Sequence, residues 1–477
     1  MIKINPVFVV ICGAIISLHC GAPNIFGTFS GDMQTDLNFS DTFISLLTSF
    51  GMIGLYFTIF PAGWANDRVG PRMSSVIGGI CCGVGYFVMS YQSSHAGIFI
   101  MYVIASFGIG TSFICALGSS GLVSRLDLIG ISISCVGAAL SLSIAYYVQI
   151  LNGFTKGIRC KSTGCWRWKL RFIGIITFGI ITFFSLFLAP KPTPEKKTEK
   201  KKIEEEKVEQ TSEQNSEENS EENSNLEKDP LLINENKTDF QFEIPQITFN
   251  QSLQVLKLRS FWILFFGYFV SVASGVFVLA SSTFIWSEYQ SGDNGSVIST
   301  SITIFSVFNC LAGVLGGIIG DYLKKKNISR NKYYSIICFI ITIDFVVLSI
   351  IHQHHHHSSA TKYVYLIFIA FIGFSFGNGL TITPTMVSEL YGPKNFGIIF
   401  GYLQISSSVA AIITPIVDTK IHSKYSLFPI MIFFAVAQFL CGILVLFFMD
   451  YSTNSIKKIS NSETKIEQQK DELSSTD

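Results

Sequence analysis

Twelve stretches of about twenty mostly apolar residues run the length of this 477-residue chain. Each is long enough to cross ~30 Å of hydrocarbon as a helix. The first six lie near residues 7–28, 43–63, 74–92, 97–122, 128–151 and 168–189. The second six lie near 261–285, 297–319, 333–351, 363–384, 397–417 and 427–449. Lone strands leave their backbone unsatisfied in lipid, so spans this long are read as helices. The pattern predicts an all-α integral membrane protein with twelve transmembrane helices in two six-helix, pseudo-symmetric bundles. The first span precedes no small-residue cleavage site and is read as a retained helix, not a signal peptide. Stretches dense in Gly and Ser, such as 108–121 and 130–145, suit close helix contact inside a bundle.

Charge agrees with this layout. Of 34 basic and 33 acidic residues, 24 fall within residues 190–240 and ten more from Asp450 onward, which leaves about 8% charge elsewhere. A water-facing surface needs about a quarter to a third charged residues, so a soluble enzyme is excluded. A net charge of +1 gives no footprint for nucleic acid. The expected domains are an N-terminal bundle (1–189), a disordered cytosolic linker (190–255), a C-terminal bundle (256–449) and a disordered cytosolic tail (450–477). The linker from Lys196 to Asn225 is Lys, Glu, Ser and Asn with few apolar residues, too little to offset chain entropy by burial. Within it, Glu227, Leu231 and Leu232 resemble an acidic dileucine signal, which implies sorting adaptors as partners and a vacuolar or lysosomal membrane; the plasma membrane is the alternative.

Basic residues orient the chain. With the N-terminus cytosolic, Lys3, Arg68, Arg72, Arg125, Lys324, Lys325, Lys326, Arg330, Lys332 and Lys394 share the cytosolic side. The loop after the fifth span violates the rule with Lys156, Arg159, Lys161, Arg167, Lys169 and Arg171.

A doubled motif carries the most information. After the second span the chain reads Gly63-Trp-Ala-Asn-Asp67-Arg68-Val-Gly70-Pro-Arg72, and after the eighth Gly317-Ile-Ile-Gly-Asp321-Tyr-Leu-Lys-Lys-Lys326. Gly precedes Asp by four residues, and a base follows Asp by five, in both copies. A glycine permits close helix contact, and an aspartate at the membrane surface can meet the positive N-terminus of a neighbouring helix. A simple basic turn is the plainer reading of one copy; repetition at the same place in each half argues for paired conformational latches. Six-helix repeats are the signature of an alternating-access transporter.

These residues resemble the signature loop of the major facilitator superfamily, and Gly164-Cys-Trp166-Arg167-Trp168 resembles that superfamily's entry to its sixth helix. Gly27–Asp32, Leu37–Ser40 and Ser388-Glu389-Leu-Tyr-Gly392-Pro-Lys-Asn-Phe396-Gly397 are similar to its nodulin-like branch, which includes monocarboxylate-transporter homologues. The resemblance implies a secondary transporter of a small organic solute, with a monocarboxylate or related anion as one solute class. An amino acid, a sugar or a metal chelate stays open, as does a non-transporting sensor. The eighth span departs from true monocarboxylate porters, having no intramembrane Asp-Arg pair.

Candidate solute or proton-coupling residues are the polar groups within spans: His19, Asn24, Gln149, Asn309, Asn378 and Gln404. Each alone is more often a helix–helix or backbone hydrogen bond than a ligand contact. His19 titrates near neutrality and can couple transport to protons. Asp344 is expected to pair structurally. Seven of the eight histidines, including His352 and His354–His357, map to non-cytosolic loops. Cys160 and Cys165 share one such loop, where a disulfide is permitted, and Asn38 and Asn294 begin glycosylation sequons there. No nucleophile triad, phosphate loop or zinc spacing occurs, so neither an enzyme nor a cofactor is expected; the partners are the bilayer, a solute and protons.

Overall fold

The computed structural model describes residues 5–124, 128–157, 165–190, 244, 246–289, 295–354, 359–422, 428–450, and positions 452, 456 and 459. Glu227, Leu231, Leu232, Cys160, Arg125, Asn294 and His355–His357 lie outside the described residues. The N-terminal half holds α1 (Pro6–His19), α2 (Gly27–Leu37), α3 (Asp41–Val69), α4 (Pro71–Met89), α5 (His95–Val123), α6 (Ile129–Gly157) and α7 (Cys165–Ser185). A short α8 (Phe249–Val255) leads into the second half: α9 (Arg259–Tyr289), α10 (Gly295–Lys325), α11 (Arg330–His354), α12 (Ser359–Tyr391), α13 (Phe396–His422) and α14 (Phe428–Ile443). Eleven spans among the described residues are long and apolar enough to cross a membrane. The 29-residue α3 stands in the place of the second span.

Large apolar side chains such as Ile175, Phe183, Ile343 and Phe433 are exposed on the outside of the bundle. Water does not favour such a surface and hydrocarbon does. Inside, small residues let helices touch. A Cβ on Gly85 would sit 2.7 Å from the Ala105 backbone, joining α4 to α5, and one on Gly174 would sit 2.8 Å from the Phe87 backbone, joining α7 to α4. The halves meet along two seams, α3 on α13 and α6 on α10.

The first span is not one straight helix over 7–28. It breaks after His19, passes through a 3-10 turn (Ala22–Ile25) and resumes as α2 to Leu37. Pro23 lacks the N–H that a continuous helix needs, and its ring clashes with the preceding turn. The continuation carries Asp32 and Asp36 to the face opposite the basic loops. There Trp166 donates its indole N–H to Asp36 at 3.0 Å, Arg167 pairs with Asp36 at 3.7 Å, and Lys169 pairs with Asp32 at 3.7 Å. Arg167 also donates to the carbonyls of Ser90 and Gln92, both at 3.0 Å, and lies 4.4 Å over the Trp166 ring. Part of the excess positive charge in that loop is thus neutralised by the first span's own extension. Cys165 at the head of α7 is disulfide-bonded. The other described cysteines are free.

The end of the linker is not structureless. Thr248 and Gln251 form a reciprocal capping box that starts α8, satisfying two backbone donors that a short helix otherwise leaves open. Ile244, Ile247 and Val255 are buried, as are Ile456 and Ile459 of the tail.

Arg167→Ala should lower thermal stability by about 1–3 kcal/mol, the usual cost of losing hydrogen bonds to a charged group. A melting curve in detergent, compared with the parent chain, checks this.

Candidate functional site

Helices α13 and α6 each begin at the same face of the molecule, where their first amide N–H groups have no intrahelical acceptor. Each start is capped by a carboxylate from the opposite half. Asp67, near the end of α3, accepts the N–H of Gly397 at 3.2 Å and that of Ile398 at 2.8 Å. Asp321, near the end of α10, accepts the N–H of Gly130 at 3.1 Å and that of Ile131 at 2.8 Å. In both cases the donors are the second and third residues of the receiving helix. The positive end of the helix dipole favours a carboxylate there by up to ~2 kcal/mol in partly buried geometry.

Glycines make this approach possible. A Cβ on Gly63 would collide with the backbone carbonyl of Gly397, and one on Gly397 would sit 2.5 Å from the Asp67 carboxylate. In the second copy a Cβ on Gly317 would lie 2.7 Å from the Ser134 side chain and 2.9 Å from the Gly130 carbonyl, and one on Gly130 would collide with the Asp321 carboxylate. The glycine four residues before each aspartate brings the helices together; the glycine on the receiving helix lets the carboxylate in. Gly70, at φ +103, ends α3 in a backbone conformation that other residues rarely adopt, so the chain turns at once into α4.

The two copies differ in what surrounds the carboxylate. Asp321 pairs with the buried Arg330 at the start of α11. Arg330 also pairs with Glu389 of α12 at 3.0 Å, and Lys324 donates to Glu389 at 2.7 Å. The base in contact with this latch is Arg330, while Lys326, whose spacing marks it as the counterpart of Arg72, lies 5.9 Å over the Tyr322 ring. Around Asp67 the hydrogen-bond partners are neutral: Asn66 donates its side-chain amide to the carboxylate at 2.9 Å, and the neighbouring Arg68 acts on it by charge without an ion-pair contact among the described residues. Arg68 is exposed. Arg72 points into its own half, donating to the Leu188 carbonyl at 2.6 Å.

The α6–α10 seam starts at the Asp321 latch and passes Ser134 against Gly317 and Ala138 against Gly313. It reaches a hydrogen bond from Ser141 to the Asn309 side chain at 3.1 Å. Gly130, Ser134, Ala138 and Ser141 recur at three- and four-residue steps, so they form one stripe on α6. Continued by the same steps, the stripe reaches Gln149, which is exposed. Along α3 and α13 the halves touch from the Asp67 latch to Phe60 and Tyr402, whose rings lie 5.2 Å apart. Asn309 and Gln149 therefore sit at and beyond the inner end of the closed seam.

The other candidates lie within single halves. His19 accepts and donates: its Nδ1–H donates to the Ile15 carbonyl at 2.9 Å, because a carbonyl only accepts, so in the neutral ring Nε2 accepts from the Tyr146 hydroxyl at 3.0 Å. Tyr147 donates to the His19 carbonyl at 3.2 Å. Asn378 is fully buried between α11 and α12, accepting from Tyr333 at 2.7 Å and donating to the Phe374 carbonyl at 3.0 Å. Gln404 donates to the Tyr268 hydroxyl at 3.4 Å, from α13 to α9. Asn24 is half-buried in the 3-10 turn. Asp344 is buried on α11 facing Ser375 of α12.

Comparison with known proteins agrees with this architecture. The family model of the Major Facilitator Superfamily matches residues 10–356 and 264–471. The "Probable transporter MCH1" of Wickerhamomyces anomalus is 24% identical over 412 residues, covering 83% of this chain and 76% of that protein. The proton:xylose symporter XylE bound to 6-bromo-6-deoxy-D-glucose superposes with a TM-score of 0.68 at 12% identity, covering 93% of this chain and 96% of XylE. FucP in its outward conformation superposes with a TM-score of 0.63 at 13% identity, covering 92% of this chain and 98% of FucP. The chain belongs to the Major Facilitator Superfamily: it is a multi-pass membrane protein and a secondary transporter, not an enzyme.

Arg330→Met, which removes the charge but keeps much of the volume, should destabilise the C-terminal half by about 3–5 kcal/mol, because it leaves the buried Asp321 without its counter-ion, while Glu389 keeps Lys324. Asp67→Asn, with no buried counter-ion to strand, should cost the fold much less. Parallel melting curves of the two variants test the ordering.

Proposed function

We propose that the chain moves a small organic solute by alternating access between its two halves, with proton coupling through His19 and Tyr146. The single observation that carries this reading is the reciprocal capping of α13 by Asp67 and of α6 by Asp321. Each half latches the other at one face, so both contacts must break if the halves rock apart there. With both engaged, the latch face is shut, and solute reaches the inter-bundle cleft from the opposite face. The floor of that cleft is Ser141 with Asn309, and Gln149 lines its wall.

The groups at this floor are neutral. No Lys or Arg lies midway along a spanning helix among the described residues. A free anion binds poorly in such a site, whereas an acid that travels with a proton arrives without net charge. The monocarboxylate implied by the resemblance to the nodulin-like branch fits in that form, and the MCH1 relative supports the transporter reading. A neutral sugar also fits a cleft lined by amide and hydroxyl groups. Uptake into proteoliposomes, with and without an imposed proton gradient, separates a monocarboxylate, a sugar and an amino acid.

The latch face is the cytosolic one on the distribution of basic residues. With the linker on that side, Glu227, Leu231 and Leu232 are available to sorting adaptors, which supports a vacuolar or lysosomal membrane. Replacing both leucines by alanine should redirect the protein to the cell surface, as read by microscopy.

Asp67→Asn removes the charge at the α13 dipole and should shift the balance of states by ~1–2 kcal/mol, roughly 5- to 30-fold. Transport should fall while membrane insertion persists; unchanged uptake at equal surface expression would sink the latch role. His19→Gln should leave solute exchange in place but remove its response to a proton gradient. A variant that responds as the parent does would remove His19 from the coupling path.

A further inference from the structure

The Asp67 latch is crossed by a piece of chain that the transport reading does not use. Ile244 and residues 246–255 close the polar linker, and they contact both halves at the latch face. Gln246 donates its side-chain amide to the main-chain carbonyl of Asp67 at 2.6 Å, in the N-terminal half. One residue later, the Ile247 N–H donates to the Asn395 side-chain oxygen at 2.9 Å, in the C-terminal half. Asn395 is held in place by its own amide, which donates to the Tyr391 carbonyl at 3.0 Å.

Packing extends the same bridge. Ile244 is buried against Gly392, whose φ of +84 and missing Cβ leave room for it. Ser252 shares a 2.8 Å hydrogen bond with the Tyr402 hydroxyl, and the Tyr402 ring lies tilted against Phe60 across the halves. The tail joins from the other side: Gln251 donates to the Ile459 carbonyl at 3.4 Å, and Ile456 is buried.

This bridge stands beside the latch that makes no ion-pair contact among the described residues. Asp321 is backed by Arg330, and through it by Glu389 and Lys324. Asp67 has no ion-pair partner among the described residues, and the linker segment lies against it instead. The connection is not forced by chain length. Fifty-three residues (191–243) separate it from the first half in sequence, so the docked position comes from its own contacts.

We propose that Ile244 and residues 246–255 are an intramolecular strap over the Asp67 latch, through which the chain's own linker and tail set how readily that face opens. The proposal rests on reading the two carboxylate caps as latches. A strap that grips Asp67 on one side and Asn395 on the other keeps both grips only while these two stay together. Rocking the halves apart releases at least one. Its binding therefore adds to the stability of the shut state alone. A protein or modification that captures the linker just upstream competes with the same contacts.

Hydrogen exchange on the full chain in lipid nanodiscs tests this. Ile244→Ala with Gln246→Ala should speed exchange several-fold in peptides covering residues 396–402 and 129–135. Peptides within α4 and α7 should be unchanged. Asp67→Asn should speed the same two regions. If Asp67→Asn does so and the strap variant does not, the strap is ornamental and the proposal fails while the latch reading stands. If neither variant changes exchange, both fail. Should Ile244→Ala loosen the whole bundle, Gln246→Ala alone decides by the same comparison, since Gln246 is exposed and its loss removes one hydrogen bond without opening the packing.

Discussion

A carboxylate placed against the exposed amides of another helix is the contact on which this architecture turns. Apolar faces meet in lipid through packing alone, because the tails around them are equally apolar and supply no hydrophobic drive. What joins the halves at this face is polar and short-ranged: Asp67 on Gly397 and Ile398, Asp321 on Gly130 and Ile131. Such bonds exist only while the helices touch, and the helices touch only because glycine occupies both sides of each crossing. Packing and electrostatics are therefore not separate supports. A methyl group at Gly130 or Gly397 would remove the bonds without removing either carboxylate.

The rest of the molecule distributes its few charges around this contact. At one face, Arg330 holds Asp321 and Glu389 together inside the C-terminal half, so that half presents its carboxylate from a rigid mount. At the other, Arg167 and Lys169 meet Asp36 and Asp32, tying the far end of the broken first span to the sixth. The body between them is almost free of charge. Rigid ends and a neutral middle suit halves that rock as bodies about a solute site.

Much of this was legible in the sequence. The spans, the six-plus-six division and the Gly63–Asp67 and Gly317–Asp321 spacing are local patterns that periodicity exposes. The receiving helices were not found, although Ile129-Gly-Ile131 and Phe396-Gly-Ile398 stand in the sequence as a matched pair. Their role exists only across the two halves, and nothing local marks a glycine as a partner for a carboxylate 190 or 330 residues away. Arg330 was hidden for a related reason. It lies on the helix after Asp321, outside the repeated motif, whose spacing marks Lys326 instead. Asn378 and Gln404 illustrate the converse limit, since a polar residue in a span looks the same whether it binds its neighbour or faces a cleft. The break at Pro23 was readable in principle, but the run of apolar residues through it masked the stop.

The exchange of contacts between halves has the form of an isologous dimer interface written within one chain. Residue i of one half meets j of the other, and j's counterpart meets i's. Such an arrangement is closed, and its two bonds share an axis. A rotation that parts Asp67 from Gly397 parts Asp321 from Gly130 in the same stroke. On the latch reading proposed above, the energies of the two caps add within a single step, so that face opens as one cooperative event although each bond by itself is weak.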